Sequence, residues 1–341
     1  MQDVIIMMRT APRRGRSRVA CAGPSGYSTP MSRMGKRIIF GAIMIAVLAA
    51  VLWGDWRLEQ WVVYRDRDTI WLSGIMDITA PYRGLPVAIL TGIVSALGFL
   101  ELRRMAAGSG AKMLVVSGLP ATVILATASY WTVALGAWMN PAAPLHPLAV
   151  LPLVTALVFA DQMARRRTAG ALPELATTLL AVAYIGGCGA AVLGLRMLFG
   201  LRAMILFLVA AKFTDIGAYF TGSFLGKHKL IPWLSPGKSW EGLIGGLLVG
   251  AGACAMFVVI TDWCQWHEWR SLTLSAWQGA VFGAVVGLAG QFADLCESLL
   301  KRSAGLKDSG AVVPEFGGVL DIIDSVLLSA PVAAILLAVL R

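Results

Sequence analysis

Apolar runs of about 17–25 residues recur from residue 37 to the end of the chain, each long enough to cross a hydrocarbon core of roughly 30 Å. A chain of this kind spans a membrane as helices, because a helix satisfies its backbone polar groups internally. Composition agrees: 57% of the 341 residues are hydrophobic and 14% charged, too little charge to cover a soluble protein of this length. The expected fold is an all-α, polytopic transmembrane bundle of about nine spans. The spans are expected near residues 37–53, 84–100, 113–137, 172–193, 201–220, 242–260, 276–300 and 319–340, with a fourth that follows the turn marked by Pro141, Pro144 and Pro147 and ends near Asp161. Gly194, Arg196 and Gly200 are expected to break the chain between the fifth and the sixth.

The net charge of +10 follows topology rather than nucleic acid. Arg9, Arg13, Arg14, Arg16, Arg18, Arg33, Lys36 and Arg37 precede or open the first run, and other basic clusters lie between later runs. Loops retained in the cytoplasm carry this bias. No basic patch is interleaved with stacking aromatics, so a nucleic acid polymer is not an expected partner. Residues 1–36 read as a disordered basic tail, with Met31 or Met34 as alternative starts. With that tail inside, alternation places the 101–112, 161–171, 222–241 and 301–317 segments on the cytoplasmic side. Trp263, Trp266 and Trp269 suit an interfacial belt on the other. Residues 37–200 form an N-terminal helical part, and residues 201–341 a C-terminal part that gathers the chemistry. Cys21, Cys188, Cys254, Cys264 and Cys296 have no paired spacing, and His146, His228 and His267 lie far apart, so neither a disulfide framework nor a zinc site is indicated.

The ionisable residues of the last two spans are the informative ones. Asp294, Glu297, Ser298 and Lys301 share one helical face, and Asp321, Asp324 and Ser325 open the final span. Acids at membrane depth are costly and normally face the bundle interior or water. Four of them beside two helix ends suit a hard, oxygen-liganded cation such as Mg²⁺; surface ion pairing and a cation pathway are the alternatives. Between these helices, Lys301, Arg302, Lys307, Asp308, Ser309 and Gly310 combine cations with backbone suited to phosphate oxygens. A second cluster runs from Lys212 and Asp215 through Lys227, His228, Lys229, Ser235, Lys238 and Ser239 to Glu241. Its Gly-Lys-Ser does not read as a P-loop, because Pro232 stands where that motif needs glycine and no strand is expected before it.

These two runs, Asp215 to Gly242 and Gly290 to Ser325, resemble the signature regions of the phosphatidate cytidylyltransferase (CDP-diacylglycerol synthase) family. The family pattern is roughly Ser-x-x-Lys-Arg, four residues, Lys-Asp-x-Gly/Ser/Ala, then Pro-x-His-Gly-Gly-x-x-Asp-Arg-x-Asp. The chain supplies Ser298, Lys301, Arg302, Lys307, Asp308, Ser309, Pro314, Gly317, Gly318, Asp321 and Asp324. It departs at Phe316, in place of His, and at Ile322, in place of Arg. The resemblance implies cytidylyl transfer from CTP to phosphatidate, giving CDP-diacylglycerol and pyrophosphate. Asp294, Asp321 and Asp324, with Asp215, are expected to hold Mg²⁺, with a second cation left open. Lys301, Lys307 and Arg302 are expected to clamp phosphoryl oxygens, with Asp308 and Ser309 beside them. Lys227, Lys229, Ser235, Lys238 and Ser239 are expected around the nucleotide. Membrane lipids are the expected surroundings, and a homodimer is left open. The expected location is a bacterial inner membrane with the site facing the cytoplasm. The rival readings are CTP-dependent transfer to another lipid phosphate, a cation transporter, or a silent paralogue.

Overall fold

A computed structural model of the chain describes residues 33–65, 82–139, 147–166, 168, 170–264, 272–310 and 317–340. The expected basic tail falls outside them up to residue 32, as do Cys21, His146, Trp266, His267, Trp269, Pro314 and Phe316. The architecture is an all-α bundle. In chain order its helices are α1 Arg33–Arg65, α2 Leu85–Gly108, α3 Val115–Ala126, α4 Ala128–Met139, α5 Pro147–Arg165, α6 Ala171–Ala181 and α7 Cys188–Phe199. α8 Leu201–Leu225, α9 Trp240–Trp263, α10 Ala276–Ser303, α11 Leu320–Leu327 and α12 Ser329–Leu340 complete it.

Among the described residues, seven helices are long and apolar enough to cross a membrane, or eight if the bent pair α3–α4 forms one span. The chain is an integral membrane protein. Two of the nine expected spans take other forms. The third bends by 57° at Thr127, where the threonine hydroxyl bonds back to the Val123 carbonyl and loosens the helical ladder. The fourth is α5, 19 residues long with Pro152 inside.

The expected break at Gly194 and Arg196 does not occur. α6 continues through one π-turn, Val182–Gly187, into α7, which ends only at Gly200, whose φ of 90° suits glycine. Arg196 stays within the helix, 4% exposed, because Asp55 and Glu59 of α1 both accept from its guanidinium. A paired guanidinium need not leave the bundle.

Water does not drive helices together inside a bilayer, so close packing must. Glycines supply it between α8, α9 and α10. A Cβ at Gly283 of α10 would stand 2.5 Å from the Gly250 carbonyl of α9, and one at Gly246 would stand 2.8 Å from the Thr214 carbonyl of α8. Around this contact Phe207, Phe282, Val286, Cys254, Ala333 and Leu337 form the largest core cluster. A second cluster joins Phe99 and Leu102 of α2 to Ile185 and to Leu320 and Leu327 of α11.

The 222–241 segment is more ordered than a loop. α8 runs on to Leu225, and an antiparallel hairpin follows, β1 Lys229–Ile231 and β2 Ser235–Ser239. Its close is fixed by capping: the Ser239 hydroxyl accepts the Gly242 N–H at 3.1 Å, while the Glu241 carboxylate accepts the His228 N–H at 3.2 Å. Serine at an N-cap and an acid in the first turn are the usual helix-starting chemistry.

Candidate active site

α10 reaches past its glycine contacts to charged final turns. Asp294 and Glu297 lie one turn apart there and face Asp324 of α11. One carboxylate oxygen from each lies within 4.8 Å of the others. Among the described residues no other group of three or more acids, histidines or cysteines converges this closely. Glu297 is fully buried. Its Oε2 accepts from Lys301 Nζ at 2.8 Å, and its Oε1 has no hydrogen-bond partner. Three close carboxylates repel one another, and a buried oxygen without a donor is costly. An oxygen-only donor set with an unanswered buried oxygen fits a hard divalent cation.

Lysines surround the trio. Lys301 bridges two acids, meeting Glu297 and, at 2.7 Å, Asp321 Oδ1. Lys238 of β2 reaches across to Asp294 Oδ2 and to the Gln291 carbonyl, at 2.8 and 2.9 Å. The hairpin is thereby tied to α10. Lys212 of α8 donates to the Ile322 carbonyl at 3.1 Å and to Ser325 Oγ at 3.2 Å. The Ser325 hydroxyl in turn donates to Asp215 Oδ2 at 2.9 Å, and Gln291 Nε2 donates to Asp215 Oδ1 at 3.1 Å. Three helices and one strand are therefore registered at a single end of the bundle.

Asp321 is engaged on both oxygens. Its Oδ2 accepts the Ser309 N–H at 2.8 Å, the Ser309 hydroxyl at 2.9 Å and the Gly318 N–H at 2.8 Å. The turn that allows this needs glycine: Gly317 has a φ of 97°, and a Cβ there would stand 2.5 Å from Asp321 Oδ2. Beneath the turn, Glu101 of α2 is 1% exposed and accepts from the Val319 N–H and the Leu320 N–H at 2.7 and 2.9 Å. Its Oε2 lies 3.0 Å from Ser309 Oγ, so that the single proton of that hydroxyl is shared between Glu101 and Asp321.

The sequence-derived residues thus divide by position. Asp294, Asp324, Asp321, Asp215, Lys301, Lys238 and Ser309 come together. Glu297 joins the converging trio, while Asp321 and Asp215 lie beside it, engaged by Lys301 and by Ser325 and Gln291 respectively. Lys227 and Lys229 are exposed around β1, and Arg302, Lys307 and Asp308 are exposed where α10 gives way to the following turn. Ser235 is half-buried on β2, and Ser239 spends its hydroxyl on the α9 cap. Ile322 contributes its backbone carbonyl, as the acceptor for Lys212. Glu101 was not legible as a site residue, since its own surroundings in the sequence show only an acid at the end of an apolar run.

The profile of the cytidylyltransferase family matches residues 63–340. The chain belongs to the cytidylyltransferase family. Every residue of the charged end lies inside the matched region, whereas nearly all of α1 precedes it. Among curated relatives, the phosphatidate cytidylyltransferase of Staphylococcus saprophyticus is 32% identical over 169 residues, covering 48% of this chain and 59% of that protein. Phosphatidate cytidylyltransferases of Pseudomonas aeruginosa and Mycobacterium leprae are 44% identical over 123 residues and 36% identical over 141. These alignments cover 36% and 41% of the chain and 42% of each of those proteins. The chain thus spans less than two thirds of the length of the curated relatives it matches.

Proposed function

We propose that this cytidylyltransferase-family protein transfers the cytidylyl group of CTP to phosphatidate, releasing pyrophosphate and forming CDP-diacylglycerol. The observation that carries the reading is the convergence of Asp294, Glu297 and Asp324 within 4.8 Å, beside Lys238 and Lys301. The names of the curated relatives supply the substrates.

In the reaction a phosphate oxygen of the lipid forms a bond to the α-phosphorus of CTP, and the bond from that phosphorus to the bridging oxygen of the β-phosphate breaks. The electron pair leaves with pyrophosphate. Both reactants are anions, so the barrier is mainly repulsion and the charge gathering on the leaving group. Asp294, Glu297 and Asp324 are the residues that would hold Mg²⁺, which when bound supplies positive charge at the phosphates. Lys301, fixed between Glu297 and Asp321, offers an ammonium to phosphoryl oxygens, and Lys238 brings the hairpin to the same place. Exposed Arg302 and Lys307 receive the lipid phosphate, and exposed Lys227 and Lys229 the nucleotide. Asp215 orients Ser325 and, through Gln291, α10. A phosphate monoester is already ionised at neutral pH, so no strong general base is needed, which fits Phe316 in place of histidine.

The charged end is the cytoplasmic one in this reading, since Arg103, Arg104, Lys112, Arg165 and Arg166 flank the helices that end there. CTP then enters from water and the lipid from the bilayer.

Incubating the purified protein with α-³²P-labelled CTP, phosphatidate and Mg²⁺ tests the proposal. Label in the organic phase, migrating as CDP-diacylglycerol, is expected. Labelling of an isoprenoid phosphate but not of phosphatidate would replace the acceptor. No labelled lipid from any phosphate, with folded protein, would remove the transferase reading.

A further inference from the structure

Glu101 is a buried acid beside the site that the reaction leaves without a task. It lies on α2, some two hundred residues before the segments it touches, and its partners are backbone N–H groups and a hydroxyl rather than a cation. A carboxylate taken out of water needs such partners, and the first turn of a helix provides them. α11 has no side-chain cap of its own at Val319. Glu101 provides that cap from another helix.

Two further observations give the contact a purpose beyond capping. The Ser309 hydroxyl lies 3.0 Å from Glu101 Oε2 and 2.9 Å from Asp321 Oδ2, so one hydroxyl links the buried acid to the acid that holds Lys301. Glycines on both sides of the turn also leave room for the Glu101 carboxylate. A Cβ at Gly310 would stand 2.8 Å from its Oε1, and one at Gly318 would collide with both Ser309 Oγ and Glu101 Oε2. The chain thus brings Ser309, Val319 and Leu320 onto one carboxylate, while the Gly318 N–H turns to Asp321.

We propose that Glu101 is a positioning residue of the active site, fixing Ser309 and the first turn of α11 so that Asp321 presents Oδ1 to Lys301. The proposal rests on the transferase reading of that site for its effect on turnover, but not for its effect on the backbone.

The test uses the full-length protein in detergent, as wild type, Glu101→Gln, Ser309→Ala and the double variant. The glutamine keeps the size of the side chain but sets an amide N–H₂ against N–H donors. Hydrogen exchange at residues 305–310 and 317–322 is expected to quicken at least tenfold in Glu101→Gln, with the unfolding temperature of the whole protein nearly unchanged. With CTP, phosphatidate and Mg²⁺, kcat is expected to fall about 10- to 100-fold while KM for CTP stays within about threefold. Ser309→Ala should cost less in the Glu101→Gln background than in wild type, because both changes cut the same link. Unaltered exchange at residues 305–310 and 317–322 would overturn the proposal. So would kcat within twofold of wild type, or a kcat loss that merely tracks the folded fraction. If wild type itself shows no turnover, the transferase reading fails, and the exchange comparison alone decides whether Glu101 positions the turn.

Discussion

Lys301 is held by Glu297 and Asp321 at once, at 2.8 and 2.7 Å, so the two acids differ in what their loss should do. Asp321→Asn keeps the side chain's size but leaves Lys301 with one carboxylate and weakens the turn at Gly318. Turnover should fall by about 100-fold or more, the scale of a lost electrostatic contact in the transition state, measured as initial rate at saturating CTP. Glu297→Gln should raise the Mg²⁺ concentration needed for half-maximal rate at least tenfold, because it removes a carboxylate from the converging trio. An unchanged Mg²⁺ requirement would detach Glu297 from the cation. At this scale the sequence was informative wherever spacing encodes a face: Asp294, Glu297 and Lys301 fall on one side of α10 by helical period alone. It could not say which acids converge. That depends on how α10 and α11 cross, and the crossing placed Asp321 with Lys301 and Ser309 rather than within the trio.

Elements explain why the charged residues can approach at all. Gly283 and Gly287 let α10 lie against α9 and α8, and a methyl group at Gly283 has no space without a shift of the Gly250 backbone. Gly283→Ala should lower the unfolding temperature and stability by about 1–3 kcal/mol, as overpacking does. Gly252→Ala, with nothing within 4 Å of the added Cβ, should be neutral or slightly stabilising. Thermal unfolding of the two variants in the same detergent separates the cases; equal losses would contradict the close-contact account. The glycine spacing is visible in the sequence, but its meaning needs the partner helix. The β1–β2 hairpin was hidden for another reason: Lys229–Ile231 and Ser235–Ser239 show no apolar alternation, because the strands are short and held by Lys238, Ser239 and Glu241 rather than by a sheet core.

Across the whole molecule, two polar assemblies stand at opposite ends of α2. Glu101 is near its last turns, while Gly84 and Arg83 before its start lie by the buried Asp55–Glu59–Arg196 group; the helix between spans about 25 Å. That second group fastens α1, most of which precedes the family match, to α7. Arg196→Ala leaves Asp55 fully buried without its cation, and breaking a buried pair costs about 3–5 kcal/mol. Protease sensitivity of α1 should rise, while turnover per folded molecule stays close to wild type. Loss of turnover in fully folded Arg196→Ala would mean that the two ends are coupled. The membrane-spanning plan was legible because hydrocarbon permits few alternatives to long apolar helices. The exceptions were places where side chains changed the local rule: Thr127 bending α3–α4, and Arg196 kept inside α7 by acids from a helix far away in sequence.

The proposed chemistry depends most on carboxylates of α10 and α11 sharing one hard cation. Mn²⁺ binding to the purified protein, followed by electron paramagnetic resonance in wild type and in Asp294→Asn, Glu297→Gln and Asp324→Asn, measures this without requiring turnover. One bound Mn²⁺, displaced by Mg²⁺ and weakened at least tenfold by each substitution, is the predicted result. Wild-type affinity retained in all three variants would contradict it.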